Sequence, residues 1–177
     1  MSSDPFRPQK PSHITSVTEG LCALTATEAV ARLRAGEVTA AELVEASIAR
    51  IEEVDPKVNA LPIPCFDRAR DMARKLRPED HADNPKSLCG LPIAIKDYND
   101  VGGVRTTYGS PIFAQSVAAQ SDATVRQLER NGAIPMAKSN VPEWAGGNTF
   151  NPVFGATRNP WDLRMSVGGS SGGSAAA

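Results

Sequence analysis

Gly90-Leu-Pro-Ile-Ala-Ile-Lys-Asp97 decides the fold of this chain. An unbroken apolar run of this length, opened by Gly-Leu-Pro and closed by two charged residues, reads as a buried strand ending in Lys96. Downstream, Asp122 to Arg130 has helical periodicity, with Ser121 as its expected cap and Asn131-Gly132 as its stop. Ala133-Ile-Pro-Met-Ala-Lys138 is then the next strand. Strand, loop, helix and strand in that order indicate an α/β layer, a sheet covered by helices.

Upstream of this layer the chain is helical. Thr25-Ala-Thr-Glu28 and Thr39-Ala-Ala-Glu42 are both capping boxes. The first opens a helix that stops at Gly36; the second opens one that carries Leu43, Ile48, Ile51 and Val54 to a stop at Asp55-Pro56. A third helix is expected from Asp67 to Leu76, followed by a polar linker over 77–87. Residues 1–20, rich in Pro, Ser and Thr, read as a flexible N-terminal arm, leaving 21–177 as part of a single domain.

The chemistry concentrates in Ser166-Val-Gly-Gly-Ser-Ser-Gly-Gly-Ser-Ala-Ala-Ala177, where closely spaced hydroxyls and glycines precede an alanine run. A phosphate-binding loop would place a lysine after the last glycine, and Ser174 follows Gly173 instead. Gly168-Gly169-Ser170-Ser171-Gly172 does match a nucleophile elbow, but an elbow follows a buried strand, and Asn159 to Met165 reads as a polar, proline-broken loop. Neither histidine supplies a triad base, since His13 and His81 both lie in polar stretches that read as surface. Lys96, at the end of its strand, is one alternative to histidine. A lysine amine is protonated at its reference pKa of roughly 10.4, but burial lowers that value by up to about 3–5 units; an exposed strand-end lysine snorkels to water instead.

The lysine block and the Gly/Ser block occur in one recognisable order. With Gly103-Val-Arg-Thr-Thr-Tyr-Gly-Ser110, Ala137-Lys-Ser-Asn-Val-Pro-Glu143, Asn148-Thr-Phe-Asn-Pro-Val-Phe-Gly155 and Arg158-Asn-Pro-Trp-Asp162 between them, the chain resembles the amidase signature family of serine hydrolases. The resemblance runs from about residue 24, strongly from Gly90, and reaches only the first part of a family domain. It implies the N-terminal portion of an α/β fold with a mixed sheet covered by helices, incomplete in this chain. It also implies a Ser-Ser-Lys triad in which Lys96 is a base that is neutral in the resting site. Ser170 would be the bridging serine after a cis Gly169–Ser170 peptide bond, and Gly168, Gly169, Ser171, Gly172 and Gly173 would form the loop around it.

The family's nucleophilic serine lies about two dozen residues beyond the bridging one, in a second glycine-rich turn that also forms the oxyanion hole. Only seven residues follow Ser170. The expectation is therefore a fragment of a longer product, or a truncated chain, with no nucleophile and no activity of its own. Trp144, Ala145, Gly146 and Gly147 are implied to line the substrate cleft; Trp144 is read either as a stacking surface or as a core anchor. Lys138, which also ends a strand, is read as structural. Asp97 and Asp162 are left between a supporting role at the site and the surface.

The activity implied is hydrolysis of a carboxamide to a carboxylate and ammonia or an amine through an acyl-serine, with no metal and no cofactor. The small-molecule amide is the expected partner, and homo-oligomer formation is left open. The A chain of a tRNA-dependent amidotransferase is the first alternative, ranked lower because that group usually differs at Asn140-Val-Pro-Glu-Trp-Ala145. A non-catalytic anion-binding module is the second. The net charge of −1 leaves no electrostatic footprint for nucleic acid or membrane. Cys22, Cys65 and Cys89 show neither metal-ligand spacing nor an even count, so reduced thiols are expected. With no apolar h-region at the N-terminus and no run near the ~20 residues of a membrane span, the expected location is the cytoplasm.

Overall fold

A computed structural model describes residues 17–177 apart from Ala82. Three helices come first: α1 (Val17–Cys22), α2 (Ala26–Ala35) and α3 (Ala40–Val58). Both capping boxes form. The Thr25 and Thr39 hydroxyls accept the Glu28 and Glu42 N–H groups, while each glutamate accepts the backbone N–H of its threonine. Gly36 ends α2 at φ 68°, a left-handed position that a residue without Cβ takes at no steric cost. Most of the expected arm, residues 1–16, lies outside the described residues.

α3 does not stop at Asp55-Pro56 but continues through the proline to Val58. The ring removes one N–H from the ladder, and the turn is held by other bonds. The Asp55 carboxylate accepts the N–H groups of Ala60 and Leu61, and left-handed Asn59 donates its N–H to the Asp55 carbonyl. Val58 then packs in the core with Ala60, Leu61 and Ala137.

The next elements are β1 (Ile63–Pro64), α4 (Phe66–Lys75), β2 (Pro92–Lys96), α5 (Ala123–Arg130) and β3 (Ile134–Ser139). They form a mixed sheet in the order β1-β3-β2, with β2 parallel and β1 antiparallel to β3. β3 is central and every residue in it is buried. The register runs Ile93 to Pro135 and then Ala94 to Ala137, so Met136 is an extra residue, a bulge that resets the alternation of side chains. Pro135 stands next to this bulge, one of the few places where a proline is tolerated in such a strand.

One face of the sheet is covered by α2, α3 and α4, through Leu33, Leu43, Val44, Ile48, Ala69 and Ala73 against Ile134 and Met136. The other holds Ile63, Ile95, Val101 and Val104 under Val125 of α5. α5 is not capped by Ser121: that hydroxyl accepts the N–H of Gly102 instead, and Asp122 occupies the cap position. His81 is half-buried, its Nδ1 2.9 Å from the Ser87 hydroxyl, where the sequence suggested surface.

β4 (Phe150–Asn151) pairs with β5 (Gly155–Ala156), and β6 (Arg158–Asn159) pairs with β7 (Asp162–Ser166). The stretch read as a broken loop before the Gly/Ser segment is thus a hairpin. Its proline falls in the turn, where the Asn159 side chain accepts the Trp161 N–H, a local bond that stabilises tight turns. The hairpin exposes Trp161 and Met165, so it is not the buried strand of an elbow. A short helix, α6 (Gly172–Ala176), closes the chain.

Burial on the sheet is legible in one thiol. Desolvation pushes Cys65 up to about 11, and Arg68 and Lys138 oppose the shift only in part. A folded-state value above the ordinary 9.0 means that the thiol's contribution to stability is complete below about pH 9 and lost between about 9 and 11. At pH 9, iodoacetamide should therefore alkylate Cys65 far more slowly in the native protein than in urea-unfolded protein, as followed by peptide mass spectrometry. Equal rates in the two states would contradict the assignment.

Candidate active site

The site is built where β2 ends beside β3. Successive side chains of a strand point to opposite faces. Lys96 and its register partner Ser139 face α6 and the Gly/Ser segment, whereas Ile95, Asp97 and Lys138 face the side of α5. The lysine that ends β2 and the one next to the end of β3 are therefore in different surroundings.

Lys96 Nζ is 2.8 Å from Ser170 Oγ and 2.9 Å from Ser171 Oγ. The Gly169–Ser170 peptide bond is cis. Ser139 Oγ meets Ser174 Oγ at 2.6 Å, tying β3 to the first turn of α6. The Gly/Ser segment is seated by two backbone–backbone bonds and one to a threonine hydroxyl. Thr149 donates its N–H to the Gly168 carbonyl, Gly172 donates to Thr149 Oγ1, and Gly173 donates to the Asn140 carbonyl. A Cβ on Gly169 would collide with the Gly147 carbonyl, and one on Gly173 with the backbone of Asn140 and Ala60. These two glycines permit the close approach that brings Ser170 to the lysine.

On the opposite face, Lys138 is fully buried and Asp97 is 1% exposed. Lys138 Nζ lies 2.9 Å from Asp97 Oδ1 and 2.8 Å from Thr106 Oγ1. Asp97 also accepts the Thr107 hydroxyl at 2.6 Å and the Thr107 N–H. Burial pushes the Lys138 ammonium below its ordinary range, and the facing Asp97 carboxylate opposes that shift. Asp97 is thus spoken for on the far side of the strand from Lys96, which is left to the hydroxyls.

Trp144 is 56% exposed, which removes the core-anchor reading. Its ring stacks on Tyr108 at 6.4 Å and meets the edge of Phe113 at 5.7 Å. Tyr98 joins this wall to Lys96. Its ring lies 5.3 Å from Lys96 Nζ, and its hydroxyl donates to the Pro142 carbonyl and accepts the Ala145 N–H. Burial, followed by Asp97 and Glu143, raises the Tyr98 phenol above its ordinary value, so it remains a donor at neutral pH. Gly146 continues the turn, and Gly147 lies against Gly169. Asp162 stays out: it pairs with Arg164 on the exposed hairpin, and that guanidinium holds its carboxyl below the ordinary range.

The structure therefore brings together Lys96, Ser170 and Ser171, and places the turn 143–147 beside them. Sequence reading missed Tyr98, the Ser139–Ser174 pair and the contact of Ser171 with the lysine. Tyr98 was legible in principle, since it stands only two residues after Lys96, in the turn that follows β2. The serine pair joins residues 35 apart and had no local signal. Among the described residues, no helix is long and apolar enough to cross a membrane.

Known proteins place the chain by sequence and by fold. The chain is 39% identical over 155 residues to the A chain of the glutamyl-tRNA(Gln) amidotransferase of Carboxydothermus hydrogenoformans, covering 86% of this chain and 32% of that protein. It is 46% identical over 144 residues to an amidase-like protein of Mycobacterium bovis, AmiB2, covering 80% of this chain and 31% of the relative. Among solved structures, a 6-aminohexanoate cyclic dimer hydrolase superposes with a TM-score of 0.78 at 33% identity, over 87% of this chain and 31% of that one. A bacterial aryl acylamidase of the amidase signature family superposes with a TM-score of 0.79 at 30% identity, over 86% and 32%. The chain thus spans about a third of the length of these relatives. The mixed sheet and the lysine–serine cluster at its edge lie within residues 42–177, the span matched by the Amidase family model, and the chain belongs to that family.

Proposed function

We propose that this chain supplies the base and proton relay of an amidase, which cleaves a carboxamide to a carboxylate and ammonia or an amine through an acyl-serine. The observation that carries the reading is the 2.8 Å contact between Lys96 Nζ and Ser170 Oγ, made by a lysine without a carboxylate partner among the described residues. In this reading the amine accepts a proton, and the Ser170 hydroxyl is within hydrogen-bond reach to give one.

In this reading Lys96 takes the Ser170 proton as Ser170 takes that of the attacking serine. The same relay returns the proton to the leaving nitrogen, so that proton transfer accompanies both acylation and amine departure. The nucleophile and the oxyanion-hole donors are proposed to come from sequence C-terminal to Ala177, which fits a chain spanning about a third of its relatives. Residues 1–177 alone are then inactive. The turn 143–147 and the Tyr108–Trp144 wall are proposed to receive the acyl group.

The similarity to amidotransferase A chains supports a second reading, in which the same site releases ammonia within a multi-chain assembly. One experiment separates the two. The full-length protein, purified alone, is expected to release ammonia or arylamine from simple carboxamides and anilides, and Ser170→Ala is expected to remove that activity. Turnover seen only with added partner chains would favour the second reading, and turnover untouched by Ser170→Ala would overturn the relay.

A further inference from the structure

Four aromatic rings run outward from Lys96 in one cluster. Tyr98, whose ring lies 5.3 Å from Lys96 Nζ, meets Tyr108 edge-on at 5.9 Å, and Tyr108 meets Phe113 edge-on at 5.2 Å. Trp144 lies 8° from parallel with Tyr108 and stands T-shaped to Phe113. Tryptophan is on average a well-buried residue, yet Trp144 keeps 56% exposure at the outer end of this cluster. Tyr108 takes one face of its ring, so the exposed surface is chiefly the other face.

The turn that carries this ring is held from outside. Trp144 at φ 51° and Ala145 at φ 60° are consecutive left-handed residues with side chains, a conformation that persists only where neighbours enforce it. The Trp144 N–H donates to the Tyr108 carbonyl, and a Cβ on Gly109 would meet the backbone of Pro142 and Glu143 at 3.0 Å, so the two segments lie in direct contact. The Tyr98 hydroxyl fastens the turn at two points, donating to the Pro142 carbonyl before it and accepting the Ala145 N–H within it. We propose that Tyr98 is a positioning residue whose hydroxyl holds Trp144 parallel to Tyr108 with its second face free, and that this face is a stacking subsite for an uncharged aromatic acyl group. A flat ring laid on Trp144 gains contact over its whole area, whereas a puckered ring of the same size touches it through a few hydrogens. Glu143 stands next to Trp144 and its charge is felt at Tyr98, which disfavours an acyl group carrying a negative charge of its own.

The subsite rests on the amide hydrolysis proposed above, but its preference can be read without turnover. Benzamide and cyclohexanecarboxamide, a flat and a puckered ring of equal carbon count, are titrated calorimetrically into full-length Ser170→Ala protein and assayed for kcat/KM in the protein that keeps Ser170. Both measurements are expected to favour benzamide by about 3–10-fold, the range of one aromatic stack. Trp144→Leu is expected to bring the ratio close to one, and Trp144→Phe, which keeps a ring, to retain most of it. Tyr98→Phe, which keeps the ring and loses both hydrogen bonds, is expected to lower the ratio with the loss falling on KM for benzamide rather than on kcat. A ratio that Trp144→Leu does not move, or benzamide that does not bind, would overturn the subsite. Equal losses for the two amides in Tyr98→Phe would overturn the positioning role and leave that hydroxyl purely structural. Absence of turnover in the protein with Ser170 would overturn the proposed function, while the calorimetric ratio would still decide the subsite.

Discussion

Lys96→Arg in the full-length protein should abolish amide hydrolysis as completely as Lys96→Ala. Arginine keeps the length and the charge, so it would preserve any role that Lys96 has as an ion-pair partner or a surface cation. It cannot keep a role as proton acceptor, because a guanidinium does not release its proton at any pH where the protein folds. Loss of a general base typically costs about 10²–10⁴ in rate, and loss of the relay through Ser170 adds to that. Lys96 Nζ lies 2.8 Å from Ser170 Oγ and 2.9 Å from Ser171 Oγ, so the larger guanidinium would also crowd both serines. The measurement is kcat/KM of a folded variant with unchanged circular dichroism. An arginine variant that keeps wild-type turnover would show that no proton passes through this residue.

The second large effect is on stability. Lys138→Ala removes one member of a pair in which both side chains are essentially without solvent contact. Breaking a buried ion pair from one side costs about 3–5 kcal/mol, because the charge left behind is neither hydrated nor matched. Asp97 would keep its bonds from Thr107 but lose its counterion. Replacing the pair together with uncharged residues of similar shape should cost much less, since no charge remains to be desolvated. Urea unfolding of the full-length protein reads both values. If Lys138→Ala costs under about 1 kcal/mol, the level of a surface pair, the burial assigned to this lysine is wrong.

Much of this architecture is written locally. Thr25 and Thr39 with glutamates three residues on specify two helix starts, and the apolar run specifies a strand ending at Lys96, although only Ile95 in it is buried where the run suggested burial throughout. The Gly/Ser segment and the lysine block were legible as one site only through the ordered set of blocks that links them. What the sequence hid depended on contacts between distant residues. Pro56 reads as a helix stop, yet Asp55 and the packing of Val58 carry α3 past it. Pro160 reads as a breaker, yet a proline in a turn interrupts no ladder, and a hairpin forms around it. Lys138 and Asp97 carry no local sign that they meet across 41 positions, and each read alone is an ordinary charge. Trp144 was undecided because burial is a property of the assembled fold, and here Tyr108 and Phe113 leave it more than half exposed.

The bulge at Met136 has a consequence for how this site can vary. It sets the parity of β3 after Pro135, so that Ser139 shares a side with Lys96 while Lys138 shares one with Asp97. Exchanging one side chain for another along β3 leaves this odd-even order intact. Losing the extra residue would leave Ala94, Ile95 and Lys96 opposite the same partners, whereas a residue gained there and not absorbed by the bulge shifts the register by one, turning the second amine toward the serines and the hydroxyl toward the carboxylate. The separation of the amine that meets the serines from the buried, ion-paired one is therefore stored in the count of residues in one strand, robust to substitution and fragile to a one-codon insertion.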